Sequence, residues 1–185
     1  KRMRDFVIKR REWLNQETDR RAGAVRRQLD KFEEEQGIHQ LDEIENSFRD
    51  FRKLIDQQFS DHGLSKGRFL GTVEQVRAGA ITCLEGVCRY FLAIESIPDD
   101  LEHRIPDNET SAMRKNRLER VRHRKEALDM IQTLYHKVED AVTHISKISM
   151  EVASMDISET SDRQEMLLAE LAELAEQTAE FNRET

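Results

Sequence analysis

From Asn108 to Met155 the chain contains neither proline nor glycine. Over that stretch Val121, Leu128, Ile131, Tyr135, Val138, Val142, Ile145, Ile148 and Val152 recur at steps that put them on one side of a helix. The pattern predicts a single rod on the order of 70 Å long. Composition points the same way. Charged residues make up 36% of the chain and hydrophobic ones 37%, against roughly 25% charged in an average globular domain. So much charge disfavours a thick sphere and favours long helices that each bury one stripe and wet the rest.

Four further helices are predicted around that rod. The first covers about 4–35, with a thin stripe of Leu14, Ala22, Val25, Leu29 and Phe32 and with Gly37 as its stop. The second covers about 40–60, where Leu41, Ile44, Phe48, Phe51, Ile55 and Phe59 step by three and four. "SDHGLSKG" then reads as a helix–helix turn, with Ser65 as N-cap of a third helix over about 66–97 that Pro98 halts. The fourth is the rod, following the loop "IPDDLEHRIPDNET". Ser161 and Gln164 have capping-box spacing at the start of a fifth helix. The expected fold is an all-α, elongated, antiparallel bundle of about five helices with coiled-coil-like character. As one unit over 1–185 it divides into a basic N-terminal helix (1–37), a core (38–155) and an acidic C-terminal helix (156–185).

The greasiest stretch, "ITCLEGVCRYFLAIESI", holds both cysteines. Val73, Val76, Ala80, Leu84, Val87, Phe91 and Ile94 form its main stripe. Gly79, Cys83, Gly86 and Tyr90 form a narrow strip beside it, through which another helix can come close. Cys83 and Cys88 are five apart and diverge by about 140° on a helix. They cannot share a metal or pair with each other, and the reading is core packing. The third helix is therefore expected to be central, packed against the second and fourth.

No nucleophile elbow, HExxH or dinucleotide fingerprint occurs, and no enzyme activity, metal or other cofactor is expected. His136, Asp140 and His144 share a helical face that zinc could use, but the face lies opposite the apolar stripe and reads as solvated. "HGLSKGRFLG" lacks the order of a phosphate loop.

Charge is unevenly spread. Residues 1–31 hold eleven Lys/Arg against five Asp/Glu, and 151–185 hold ten acids against two arginines. Seven Lys/Arg and His123 crowd into 114–125, a run that reads first as a solvated, partly salt-bridged face and second as one that could meet an acidic protein surface, the glutamate face of the fifth helix among them. With no interleaved aromatics to stack on bases, nucleic acid is disfavoured. "KRMRDFVIKRREWL" mixes Phe6 and Trp13 with six cations. It could lie on an anionic membrane, though the reading taken is an ordinary helix whose Trp13 docks on the bundle.

The function expected is a non-catalytic protein–protein interaction or scaffold module, self-associating as a homodimer or other homo-oligomer, in the cytoplasm. The alternative is a cytoplasmic module at or beside a membrane that uses the basic N-terminal helix. The candidate surface comprises Phe6, Trp13, Arg114, Lys115, Arg117, Arg120, Arg124, Leu167, Leu171, Leu174 and Phe181. In it, apolar stripes left over on the first and fifth helices supply affinity and charged faces supply orientation.

Overall fold

A computed structural model describes residues 2–59, 64–103, 105, 108–154 and 161–179. Within those ranges it describes side chains from Trp13 onward, other than those of Leu64, Ser161 and Asp162. The described residues form five helices and no strand: α1 (Arg2–Lys31), α2 (Glu35–Gln58), α3 (Leu64–Ile94), α4 (Ser111–Ser154) and α5 (Ser161–Ala179). The all-α bundle expected from the periodicity is the fold observed. Successive helices alternate in direction. Asn15 pairs with Glu74, and Arg21 with Glu85, so α1 runs parallel to α3. Glu45 meets Arg77 and Asp56 meets Lys66, so α2 runs against α3. On α5, Gln164 meets Ser65 and Thr178 lies on Gly79, so α5 again runs with α3.

α3 packs against all four other helices. Its buried residues include Phe69, Val73, Val76, Ala80, Ile81, Cys83, Leu84, Val87 and Cys88, each fully shielded. Such a helix has no wet face wide enough to sit at an edge. The small strip beside its stripe lets α5 close in: a Cβ at Gly79 would lie 2.6 Å from the Cβ of Thr178, where no real side chain fits.

Several boundaries and stripes differ from expectation. α1 stops at Lys31, not near 35. The turn runs through Glu33, which takes a left-handed φ of 54°. Glu34 N–H donates to the Leu29 carbonyl at 3.0 Å and Glu33 N–H to Asp30 at 3.1 Å, the pairing of a Schellman cap with glutamate where glycine is usual. Gly37 is no stop. It lies inside α2, where an added Cβ would meet Leu29 at 2.7 Å and the Tyr135 hydroxyl at 3.0 Å. Ser65 is not an N-cap, because α3 already starts at Leu64, and its hydroxyl donates across to Gln164 Oε1 at 2.8 Å. The side chain of Ser161 lies outside the described residues. α4 is capped by Thr110, whose Oγ1 accepts from Met113 N–H at 3.3 Å. Its buried face is Ala127, Ile131, Leu134, Tyr135, Val138, Ala141, Ile145, Ile148 and Val152. Leu128 is exposed and Val142 half-buried, since the face rotates by a fraction of a turn to meet α3 and α2 together.

Among the described residues one charged side chain is sealed inside the bundle. Arg77 of α3 is 4% exposed. Its Nε and one terminal nitrogen fork onto Glu45 of α2 at 2.9 and 2.8 Å, and the same nitrogen reaches Asp19 of α1 at 2.6 Å. The guanidinium also lies 4.8 Å from the Phe48 ring centre. Three helices are thus held in register by one cation. Arg77→Ala should destabilise the fold by about 3–5 kcal/mol, because it strands the Glu45 carboxylate. Asp19→Ala, at the wet end of the same cluster, should cost under about 1 kcal/mol. Urea unfolding of both variants checks the contrast, and equal losses would mean that Arg77 is not the keystone. Glu33→Gly should raise stability by about 1 kcal/mol in the same assay by relieving the left-handed glutamate.

Candidate interaction surfaces

Ten of the eleven candidate residues fall on three helices, and the structure treats them differently. Leu167, Leu171 and Leu174 are buried, which corrects the expectation of a leftover stripe on the fifth helix. α5 turns its leucine face into the groove of α3 and α4, with Gly79 giving it room. Its outward side shows Glu165, Met166, Ala169, Ala172, Glu173 and Glu176. The side chain of Phe6 and the whole of Phe181 lie outside the described residues.

On α1, Trp13 is 60% exposed and Leu14 48%. The expected docking of Trp13 on the bundle does not occur. Among the described side chains of α1, the buried apolar ones begin at Ala22, Val25 and Leu29. Nearer its N-terminus the helix is held by polar links: Asn15 to Glu74 at 3.0 Å, Asp19 to Arg77, and the fork of Arg21 on Glu85 at 2.8 and 2.7 Å with Thr82 at 2.6 Å. The bond to Glu85 holds the Arg21 guanidinium above its ordinary pKa, against the opposing effect of burial. Polar links fix direction and register without consuming apolar surface.

The basic run of α4 is split by function. Arg117, Arg120 and Arg124 share one face and clamp the chain that follows α3. Arg124 donates to the Ile97 carbonyl at 3.0 Å and pairs with Asp99; Arg120 donates to Ser96 at 3.0 Å. Arg117 donates to Glu102 at 2.9 Å and forks onto Glu109 at 2.7 and 3.2 Å. The Arg117 hydrogen bond holds the Glu109 carboxyl below its usual range. These three arginines are largely occupied within the chain, whereas Arg114 and Lys115 are exposed. The glutamate face of α5 is not their partner. Glu170 meets Lys147 at 2.5 Å, about 35 Å along α4 from Arg124 at the ordinary helical rise.

The face of His136, Asp140 and His144 makes local contacts along α4. His144 Nδ1 sits 2.7 Å from the carbonyl of Asp140, and His136 lies 3.7 Å from Glu139. Among the described residues no group of three His, Cys, Asp or Glu is placed to hold a metal ion. Hollows among the described residues include open grooves between helices. One of about 440 Å³ lies between α2 and α4, lined by Glu43, Asn46, Asp50, Val142, Ser146 and Ser149 among others. No helix among the described residues is long and apolar enough to cross a membrane. Sequence reasoning missed the Asp19–Glu45–Arg77 set. Its signal was an arginine in step with Val73, Ile81 and Leu84 inside an apolar face.

Both thiols are free and buried, as read from the sequence. Burial pushes Cys83 up to about 11, and burial followed by the Glu85 charge does the same for Cys88. Neither is a thiolate at neutral pH, so neither is a nucleophile. No protein-family model, curated protein or solved structure matches this chain.

Because the folded thiols hold their protons beyond the unfolded value of 9.0, their contribution to stability is complete below pH 9 and drains away as pH rises toward 11. Unfolding free energy measured by urea titration should therefore fall between pH 9 and 10. A Cys83→Ala/Cys88→Ala variant should fall less steeply over that interval, and an equal slope would contradict the burial of the thiols.

Proposed function

We propose that the chain is a non-catalytic protein-interaction module that self-associates through α1. The observation that carries this reading is the exposed Trp13–Leu14 pair, adjacent large apolar side chains that the fold does not use. Tryptophan is the residue most enriched where protein surfaces bind tightly. It follows a segment with six cations in its first eleven residues, so the partner surface it fits is anionic. A second copy offers one: the outward side of α5, with Glu165, Glu173 and Glu176 around the small Ala169 and Ala172. Because α1 and α5 run the same way within one bundle, a two-fold axis perpendicular to them sets α1 against α5 of the other copy head to tail. The basic start of α1 then faces the acidic end of α5, and the contact occurs twice.

The same pair supports a second reading, in which α1 lies on an anionic membrane surface with Trp13 at the interface. One reporter separates the two, since Trp13 is the only tryptophan. Its emission should shift to the blue with rising protein concentration as light scattering reports a dimer. A Trp13→Glu/Leu14→Glu variant should stay monomeric and keep its helical content. A blue shift seen only with anionic vesicles favours the membrane reading. A monomeric mass at every concentration, with unchanged emission in both conditions, ends both.

A further inference from the structure

Beyond the start of α2, one face of α4 has no helix over it. α2 and α4 run parallel, and Gln40 reaches the carbonyl of Tyr135 at 3.2 Å. Since α2 starts at Glu35, it gives out near residue 130 of α4. None of residues 111–126 is buried, and the first buried residue is Ala127. Within this length the described residues of the loop after α3 are fastened to the face of Arg117, Arg120 and Arg124. Next to that face, Leu118, Val121 and Leu128 step by three and seven, and Arg114 and Lys125 fall in the same row. All five lie within about 100° of arc. Leu118 is 47% exposed, Leu128 is also exposed and Val121 is half-buried. An apolar row with cations in step and no helix across from it is half of a helix pair.

We infer that this face of α4 docks an acidic amphipathic helix of a partner protein, its apolar seam on Leu118, Val121 and Leu128 and its carboxylates on Arg114, Lys115 and Lys125. Charge selects this occupant. A second copy presenting the same face would set cations against cations. A second copy presenting α5 would bring carboxylates without a seam, because its leucines are already buried. An anionic bilayer is the other source of negative charge, and the vesicle control below separates it from a helix. The inference deepens the reading of the chain as an interaction module and adds a second surface, remote in sequence from Trp13.

The test uses the full chain and a synthetic helix of about three heptads with leucine at a and d and glutamate at e and g. Control probes are the same peptide with lysine at e and g, and anionic vesicles. The glutamate peptide should bind, with the lysine peptide and Leu118→Asp each weakening binding at least about tenfold. Because Leu118 is exposed, the variant should melt like the parent. Arg114→Glu/Lys125→Glu should act like Leu118→Asp on the glutamate peptide and restore binding of the lysine peptide. Trp13→Glu should leave peptide affinity unchanged, so loss of self-association and loss of this site are read separately. No binding of the glutamate peptide, equal binding of both peptides, indifference to Leu118→Asp, or binding of vesicles through the same residues would each overturn the proposal.

Discussion

The structure depends on the burial of α3. A helix that is apolar around most of its girth is unstable in water unless other helices cover it, and burial of a Leu- or Phe-sized side chain contributes about 1.5–3 kcal/mol. α3 offers such side chains to several neighbours at once: Phe69 to Phe51 of α2 and to Phe59 just past its end, Phe91 to Phe32 just past α1, and the strip at Gly79 to α5. The remaining helices are amphipathic because each has only one side to give. This explains how a chain with as many charged as hydrophobic residues still builds one continuous core. Apolar material is concentrated in the middle helix, and charge is spent on the outer four.

Burial alone does not choose directions or registers, since one apolar stripe slides on another at little cost. Arg77 supplies what is missing. In a sealed site its fork donates to carboxylates at the correct height on α1 and α2, so a slip of one turn would leave a buried cation without partners. Arg21 repeats the device higher on α1 with Glu85 and Thr82. The two forks let α1 hold its place with few apolar contacts, and for that reason Trp13 and Leu14 remain outside.

What could be read from the sequence follows the same division. Periodicity identified five helices and the central one, because burial of α3, α2 and the middle of α4 is written in residues that are apolar whatever their neighbours. Position was not written there. Leu128 and Leu134 look alike in a stripe, and only the joint packing of α2 and α3 on α4 decides that Leu134 goes in and Leu128 stays out. Leu167, Leu171 and Leu174 make a surface seam or a core face equally well on their own. The void at Gly79, sixty degrees around α3 from Thr82, decides for the core. Glu33 in a left-handed turn ran against propensity, and the glycine four residues later drew the boundary away from it. The candidate surfaces were harder to read than the fold because exposure is a property of what fails to arrive, and a sequence records only what is present.

The basic run of α4 shows why charge alone misleads about function. α3 ends in carbonyls with no partners within the helix, carrying the negative end of its dipole, and the chain beyond it is acidic. Arg117, Arg120 and Arg124 answer both, binding the carbonyls of Ser96, Ile97 and Glu102 and the carboxylates of Asp99 and Glu109. On the next face Arg114 lends its charge to Glu109, while Leu118 and Lys125 form none of the described bonds that fasten the loop. The two faces are therefore separable: the inner row is explained by the intramolecular bonds it makes, and the outer row is left over once those bonds are counted.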